Sequence, residues 1–93
     1  MKLEKIRNKI IPILRRHCIR KASIFGSHVR GEEEEGSDLD ILVEFRGEKS
    51  LIDLAGLKME LEELLKIKVD ILTYKSLHPL LRDRILSEQE VIL

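Results

Sequence analysis

The residues whose types and spacing could do chemistry are three aspartates and a glycine–serine pair. Asp38-Leu39-Asp40 opens an apolar run, and Asp70 stands alone between Val69 and Ile71. Side chains alternate along a strand, so Asp38 and Asp40 would share one face, about 6–7 Å apart. No basic residue separates them, so the two carboxylates repel each other. A hard divalent cation removes that repulsion, because Mg²⁺ favours carboxylate and phosphate oxygens. If the strand bearing Asp70 lies beside the one bearing Asp40, three carboxylates line one metal site. Two metal ions about 3.5–4 Å apart stabilise both the attacking and the leaving oxygen of an in-line displacement at phosphorus. One lowers the pKa of the attacking hydroxyl, and the other neutralises charge on a departing pyrophosphate.

Gly26-Ser27 ends an earlier apolar segment. Glycine lets the backbone approach a phosphate closely. The amides that follow can donate to phosphate oxygens, and the Ser27 hydroxyl adds a donor. Arg30 is a further candidate phosphate ligand. Each piece alone has an ordinary explanation: a Gly-Ser pair is usually a turn, Asp-x-Asp a solvated strand end, and a lone aspartate a surface residue. Their order along the chain favours the phosphate reading.

These residues need elements to position them. Leu3, Ile6, Ile10, Ile13, Leu14 and Cys18 recur at three- and four-residue steps, which predicts an amphipathic helix over 2–17. Pro12 inside it predicts a kink or break near 8–11. Residues 21–25 read as a short buried strand and 28–37 as a polar loop. In the second strand, 38–45, Leu39, Ile41, Val43 and Phe45 share the face opposite the aspartates. Ser50 is a candidate N-cap for a helix whose core face is Leu51, Leu54, Leu57, Leu61, Leu64 and Leu65. Residues 68–72 form the third strand. Ser76 or His78-Pro79 opens a last helix carrying Leu80, Leu81, Ile85 and Leu86, and 91–93 can add an edge strand. This order predicts a single α/β (α+β) domain over 1–93, a small mixed sheet with helices packed on one side.

Gly26-Ser27, ten intervening residues, then Asp38-Leu39-Asp40 resembles the signature of the polymerase-beta-type nucleotidyltransferase superfamily. Arg30-Gly31 and the later Val69-Asp70-Ile71 look like its smallest branch, the minimal nucleotidyltransferases. The resemblance spans nearly the whole chain and implies a palm-like nucleotidyltransferase fold. It implies that Asp38 and Asp40 are the catalytic pair binding two Mg²⁺ ions. Asp70 would be the third carboxylate, binding metal and helping deprotonate the acceptor hydroxyl. Gly26 and Ser27 would hold the triphosphate of ATP. Larger members carry an acceptor-binding domain, so here another chain would supply the acceptor. Minimal members are similar to antitoxins paired with HEPN-type toxins, which they adenylylate on a tyrosine. The competing expectation is a non-catalytic module that neutralises a partner toxin by occlusion.

Composition limits the remaining classes. Formal net charge is zero, and one Tyr, two Phe and no Trp leave no stacking platform. Nucleic acid is therefore not the expected direct acceptor. The zero conceals a basic segment, 1–21, and an acidic one, 32–48. These are either two solvated faces that pair with each other in the fold or in a partner or, in the sharper reading, the basic segment helps hold an anionic substrate. One cysteine, Cys18, excludes an internal disulfide. No apolar run approaches the ~20 residues of a membrane span. A cytoplasmic protein is expected. The Asp-x-Asp does not continue as a calcium loop, there is no P-loop lysine motif, and His17-Cys18 lacks zinc-spaced partners. His28 and His78 are read as surface residues.

Overall fold

Helix α1 runs unbroken from Leu3 to Arg16 with Pro12 inside it, so the expected break does not occur. Packing decides this. Proline in a helix interior costs about 3 kcal/mol. Ile6 and Ile10 before it and Ile13 and Leu14 after it are all buried. Each such side chain contributes about 1.5–3 kcal/mol by leaving water, so shedding either half of the helix costs at least as much as keeping the proline. The computed structural model describes residues 3–26, 38–48 and 50–93.

After α1 come β1 (Ile19–Phe25), β2 (Leu39–Phe45), α2 (Leu51–Leu65), β3 (Val69–Thr73), a 3₁₀ turn (Tyr74–Ser76), α3 (Pro79–Glu88) and β4 (Glu90–Val91). The sheet order is β3-β2-β1-β4. β1 pairs antiparallel with β2 and with β4, while β2 and β3 are parallel. A parallel pair needs a long crossover, which α2 provides. The mixed sheet is the one expected.

Ser50 caps α2 as predicted. Its Oγ accepts from the Asp53 N–H at 3.4 Å, and the Asp53 carboxylate accepts from the Ser50 N–H at 2.9 Å. Lys66 ends the helix in the left-handed region, φ 59°. His78, expected to be a surface residue, is exposed but caps α3: its Nδ1 accepts from the Leu80 N–H at 3.1 Å, and Pro79 occupies the first turn.

One core lies between the sheet and the two long helices. Leu39, Ile41 and Val43 are fully buried there with Leu57 and Leu61, and Phe45 packs at the margin. A second, smaller cluster forms on the opposite face. Leu42, Tyr74 and Leu77 are buried in it, and Ile85 and Leu86 of α3 lean on them. So α1 and α2 cover one face as expected, and α3 covers the buried Leu42 on the other. Beside it, Ser23 is fully buried but satisfied: its Oγ lies 2.9 Å from the Tyr74 hydroxyl and donates to Gln89 at 2.7 Å. Burial raises the Tyr74 pKa above its usual value.

Two stripes are less buried than their spacing predicts. Leu51 is 83% exposed and Leu64 is 41% exposed, so α2 is anchored by Leu57, Leu61 and Leu65. No residue of α3 is fully buried, and Leu80 is 86% exposed. Of the basic segment, Arg20 lies 3.7 Å from Glu44 of the acidic one, whereas Arg16 and His17 both reach Glu60 of α2, outside it, His17 at 2.6 Å.

Two predictions follow from this packing. Replacing Pro12 with Ala removes a helix-breaking residue from an already continuous helix. It should add about 1 kcal/mol or more of stability, which for a domain of this size is a rise of roughly 4–8 °C in a thermal melt. The second concerns Glu60, whose pKa is held below the usual carboxylate value, first by its hydrogen bond with His17 and then by Arg16. That stabilisation is fully present above the ordinary carboxylate pKa and is lost as pH falls through the lowered one. Glu60→Gln should therefore lower the melting temperature at neutral pH, and the gap to the parent should close on acidification.

Candidate active site

The register of the sheet brings two of the three candidate carboxylates together, Asp40 and Asp70. Asp40 is the direct partner of Asp70 in the parallel β2–β3 pair, and of Phe25 in the antiparallel β1–β2 pair. Neighbouring strands lie about 4.8 Å apart. Asp40 and Asp70 therefore stand side by side on one face. Val69, buried in the main core, points to the other. Pairing begins where the Leu39 N–H donates to the Lys68 carbonyl at 2.9 Å, with Asp38 immediately before it. Asp38 is half-buried, two positions from Asp40.

Gly26 completes this arrangement from the other flank. It follows Phe25 at the end of β1 with φ +81°, a conformation that favours glycine. A Cβ there would lie 3.3 Å from Cγ of Asp40 and would run into its Oδ2. The backbone leaving β1 thus passes directly against the Asp40 carboxylate, where only glycine fits. Ser27, His28, Arg30 and the four glutamates from Glu32 to Glu35 lie outside the described residues.

Asp40 and Asp70 line a cavity of about 480 Å³. Phe25 and Leu72 line it with them. Its outer wall comes from α2, through Leu51, Leu54, Ala55 and Lys58. The sequence reading missed Lys58. Its signal was its position, seven residues after Leu51 and four after Leu54, on the same side of the helix. Glu62 was missed as well: its carboxylate accepts from the Val69 N–H at 2.9 Å. That bond ties the last turns of α2 to the start of β3, one residue before Asp70. Glu62 is a positioning residue, and a lone glutamate on a predicted helix gave no sign of it.

Among the described residues no three His, Cys, Asp or Glu side chains form a ready-made metal cage. Mg²⁺ does not require one. It is commonly held by one or two carboxylates together with waters and substrate phosphates. Two hard oxygen donors in one cavity, next to a glycine that admits a phosphate, fit that mode of binding.

A mixed sheet that places paired carboxylates beside a glycine turn, backed by two long helices, has the character of a phosphate-handling α/β domain. More narrowly, residues 8–93 match the family model for polymerase beta nucleotidyltransferases, and the chain belongs to that family. It is 60% identical over 88 residues to a candidate protein adenylyltransferase of Methanocaldococcus jannaschii, with 95% of each chain covered. Among solved structures it resembles a candidate minimal nucleotidyltransferase, with TM-score 0.83 and 41% identity over 97% of this chain and 95% of that one. It also resembles a chain in a toxin–antitoxin structure with AMP-PNP, with TM-score 0.83 and 26% identity over 94% of this chain and 72% of that one.

The close approach at Gly26 can be tested against an internal control. Gly47 also has positive φ, +73°, but a Cβ there meets nothing within 4 Å. Gly47→Ala should cost about 1 kcal/mol from backbone strain alone and leave nucleotide transfer intact. Gly26→Ala should cost more in a thermal melt and should also reduce transfer, because the added methyl displaces the Asp40 carboxylate.

Proposed function

We propose that the chain transfers AMP from ATP to a tyrosine hydroxyl of a partner HEPN-type toxin and so acts as an antitoxin. The observation that carries this reading is the registration of Asp40 with Asp70 under the Gly26 turn. The relatives support its direction: one named for protein adenylylation matches nearly end to end, and a structural neighbour is a toxin–antitoxin structure with an ATP analogue. The partner supplies the acceptor.

In this reading Gly26, with Ser27 and Arg30 just beyond it in sequence, would hold the triphosphate. Asp38, Asp40 and Asp70 would hold Mg²⁺, which would supply neutralisation of phosphate charge and a lowered pKa of the acceptor hydroxyl. The acceptor oxygen attacks the α-phosphorus. A new P–O bond forms, the bond to the β-phosphate oxygen breaks, and pyrophosphate departs. Asp70 takes the hydroxyl proton. Lys58 adds a positive charge to the same cavity. Among the described residues no helix is long and apolar enough to cross a membrane.

The test is transfer of labelled AMP from ATP to a co-expressed HEPN-type partner. Charge stabilisation by a bound metal is worth several kcal/mol, and each 1.36 kcal/mol is tenfold in rate. Asp38→Ala with Asp40→Ala should therefore slow transfer by about a thousandfold or more, and chelating divalent cations should do the same to the parent. A double variant that labels its partner at the parent rate sinks the catalytic assignment. One that transfers nothing yet still neutralises the toxin identifies occlusion as the biological activity.

A further inference from the structure

The carboxylate cavity has two flanks of different chemistry. In the order β3-β2-β1, Asp40 is central. Gly26 lies on its β1 side, where the backbone comes closest to the carboxylate. Asp70 and the wall from α2 lie on its β3 side. An in-line displacement needs the attacking and leaving oxygens on opposite sides of phosphorus. With the triphosphate against Gly26, as in the transfer reading, the β3 side of the cavity is the side left for the acceptor.

We infer that the face of α2 formed by Leu51, Leu54, Ala55 and Lys58 is the acceptor seat, shaped for a ring-bearing hydroxyl side chain set in an apolar stretch of the partner protein. This rests on the transfer reading and extends it to what the site selects. The four residues are spaced i, i+3, i+4 and i+7, so they form one helical face, and all four line the cavity that holds Asp40 and Asp70. Three are apolar. They match the body of an aromatic ring and offer nothing to a heavily hydrated acceptor such as a sugar or a nucleic-acid backbone. The fourth, Lys58, brings an ammonium to the end of that face. A phenol, with a pKa near 10, gives up its proton far more readily beside a cation than an aliphatic alcohol does.

Leu51, which lines the cavity, carries the same chemistry outward, and Ile52, next to it in sequence, lies outside the lining. Leu51 and Ile52 are each 83% exposed, on consecutive positions at the start of α2. Adjacent large apolar side chains left in water beside a reaction cavity mark a contact surface. Continuity with the carboxylate cavity identifies the occupant as the apolar segment flanking the acceptor residue. The core gains nothing from these two side chains, since α2 is anchored through Leu57, Leu61 and Leu65.

The test uses the whole chain with labelled methyl groups, loaded with Mg²⁺ and α,β-methylene-ATP, whose P–C bond blocks transfer. N-acetyl-tyrosinamide and N-acetyl-serinamide are titrated separately to tens of millimolar. The tyrosine probe should shift the methyl signals of Leu54 and Ala55 and bind at least about tenfold more tightly than the serine probe. Leu51→Glu combined with Ile52→Glu should weaken the tyrosine probe about tenfold without changing affinity for the nucleotide analogue. Leu80→Glu, equally exposed but on α3, should change neither. Equal response to the two probes, shifts confined to other surfaces, or no response overturns the acceptor seat. Failure of the analogue to bind overturns the transfer reading instead, and the tyrosine probe then reports on the α2 face alone.

Discussion

The hydrogen-bond register between β2 and β3 fixes where the chemistry can happen. These are the two parallel strands of the sheet, and their pairing sets Asp40 against Asp70, thirty residues on in sequence. Side-chain direction alternates at every residue, so a slip of one position would turn Asp70 into the core and Val69 out of it. Burial of Val69 against the fully buried Leu39 and Ile41 therefore protects the position of a carboxylate it never touches. The bond from the Val69 N–H to Glu62 holds the entry of that strand from the helix side. Position at the site is thus secured from behind, by apolar contacts on the far face and by one charged acceptor.

The sheet is the part most legible in sequence. Alternation in 38–45 gave both the buried and the acidic face of β2, and the short apolar run around Asp70 gave β3, because period-two patterning records which side of a strand meets water. Ser50 was legible because a cap is a local event between residues three apart. The failures share a different cause. Pro12 was read by its local cost, but the continuity of α1 is decided by four side chains buried against a sheet that local reading does not see. Leu51 and Leu64 were counted as core because helical spacing reports which side a residue occupies, and it does not report how far the sheet extends beneath it. Glu62 left no trace, and Lys58 only its spacing from Leu51 and Leu54: their significance comes from what stands opposite them in three dimensions.

The opposite face shows how a small domain supports such a site without filling it. Ser23, Tyr74 and Gln89 form a closed polar network on the same side of the sheet as Asp40, with Leu42 buried beside it and Lys21 4.7 Å over the Tyr74 ring. Each buried hydroxyl has a partner, so the network carries no unsatisfied group, the costly case in a low-dielectric interior. It ties the turn after β3 to β1 across the intervening β2. Both strands that flank Asp40 are thereby joined on its own face, a few residues beyond the cavity.

The division of labour along α2 follows from the same geometry. Its later turns are spent on the core, through Leu57, Leu61 and Leu65, while its first turn leaves Leu51 and Ile52 in water. A helix that served only as a crossover between two parallel strands could carry polar residues at those positions. This one begins with a reciprocal capping box that fixes its first turn, followed at once by two exposed apolar side chains. Firm anchoring of an exposed apolar turn costs solubility and returns nothing to the fold, so its use has to be sought in what comes to lie against it. The cavity that Leu51 lines together with the paired aspartates is where a second molecule would receive the transferred group.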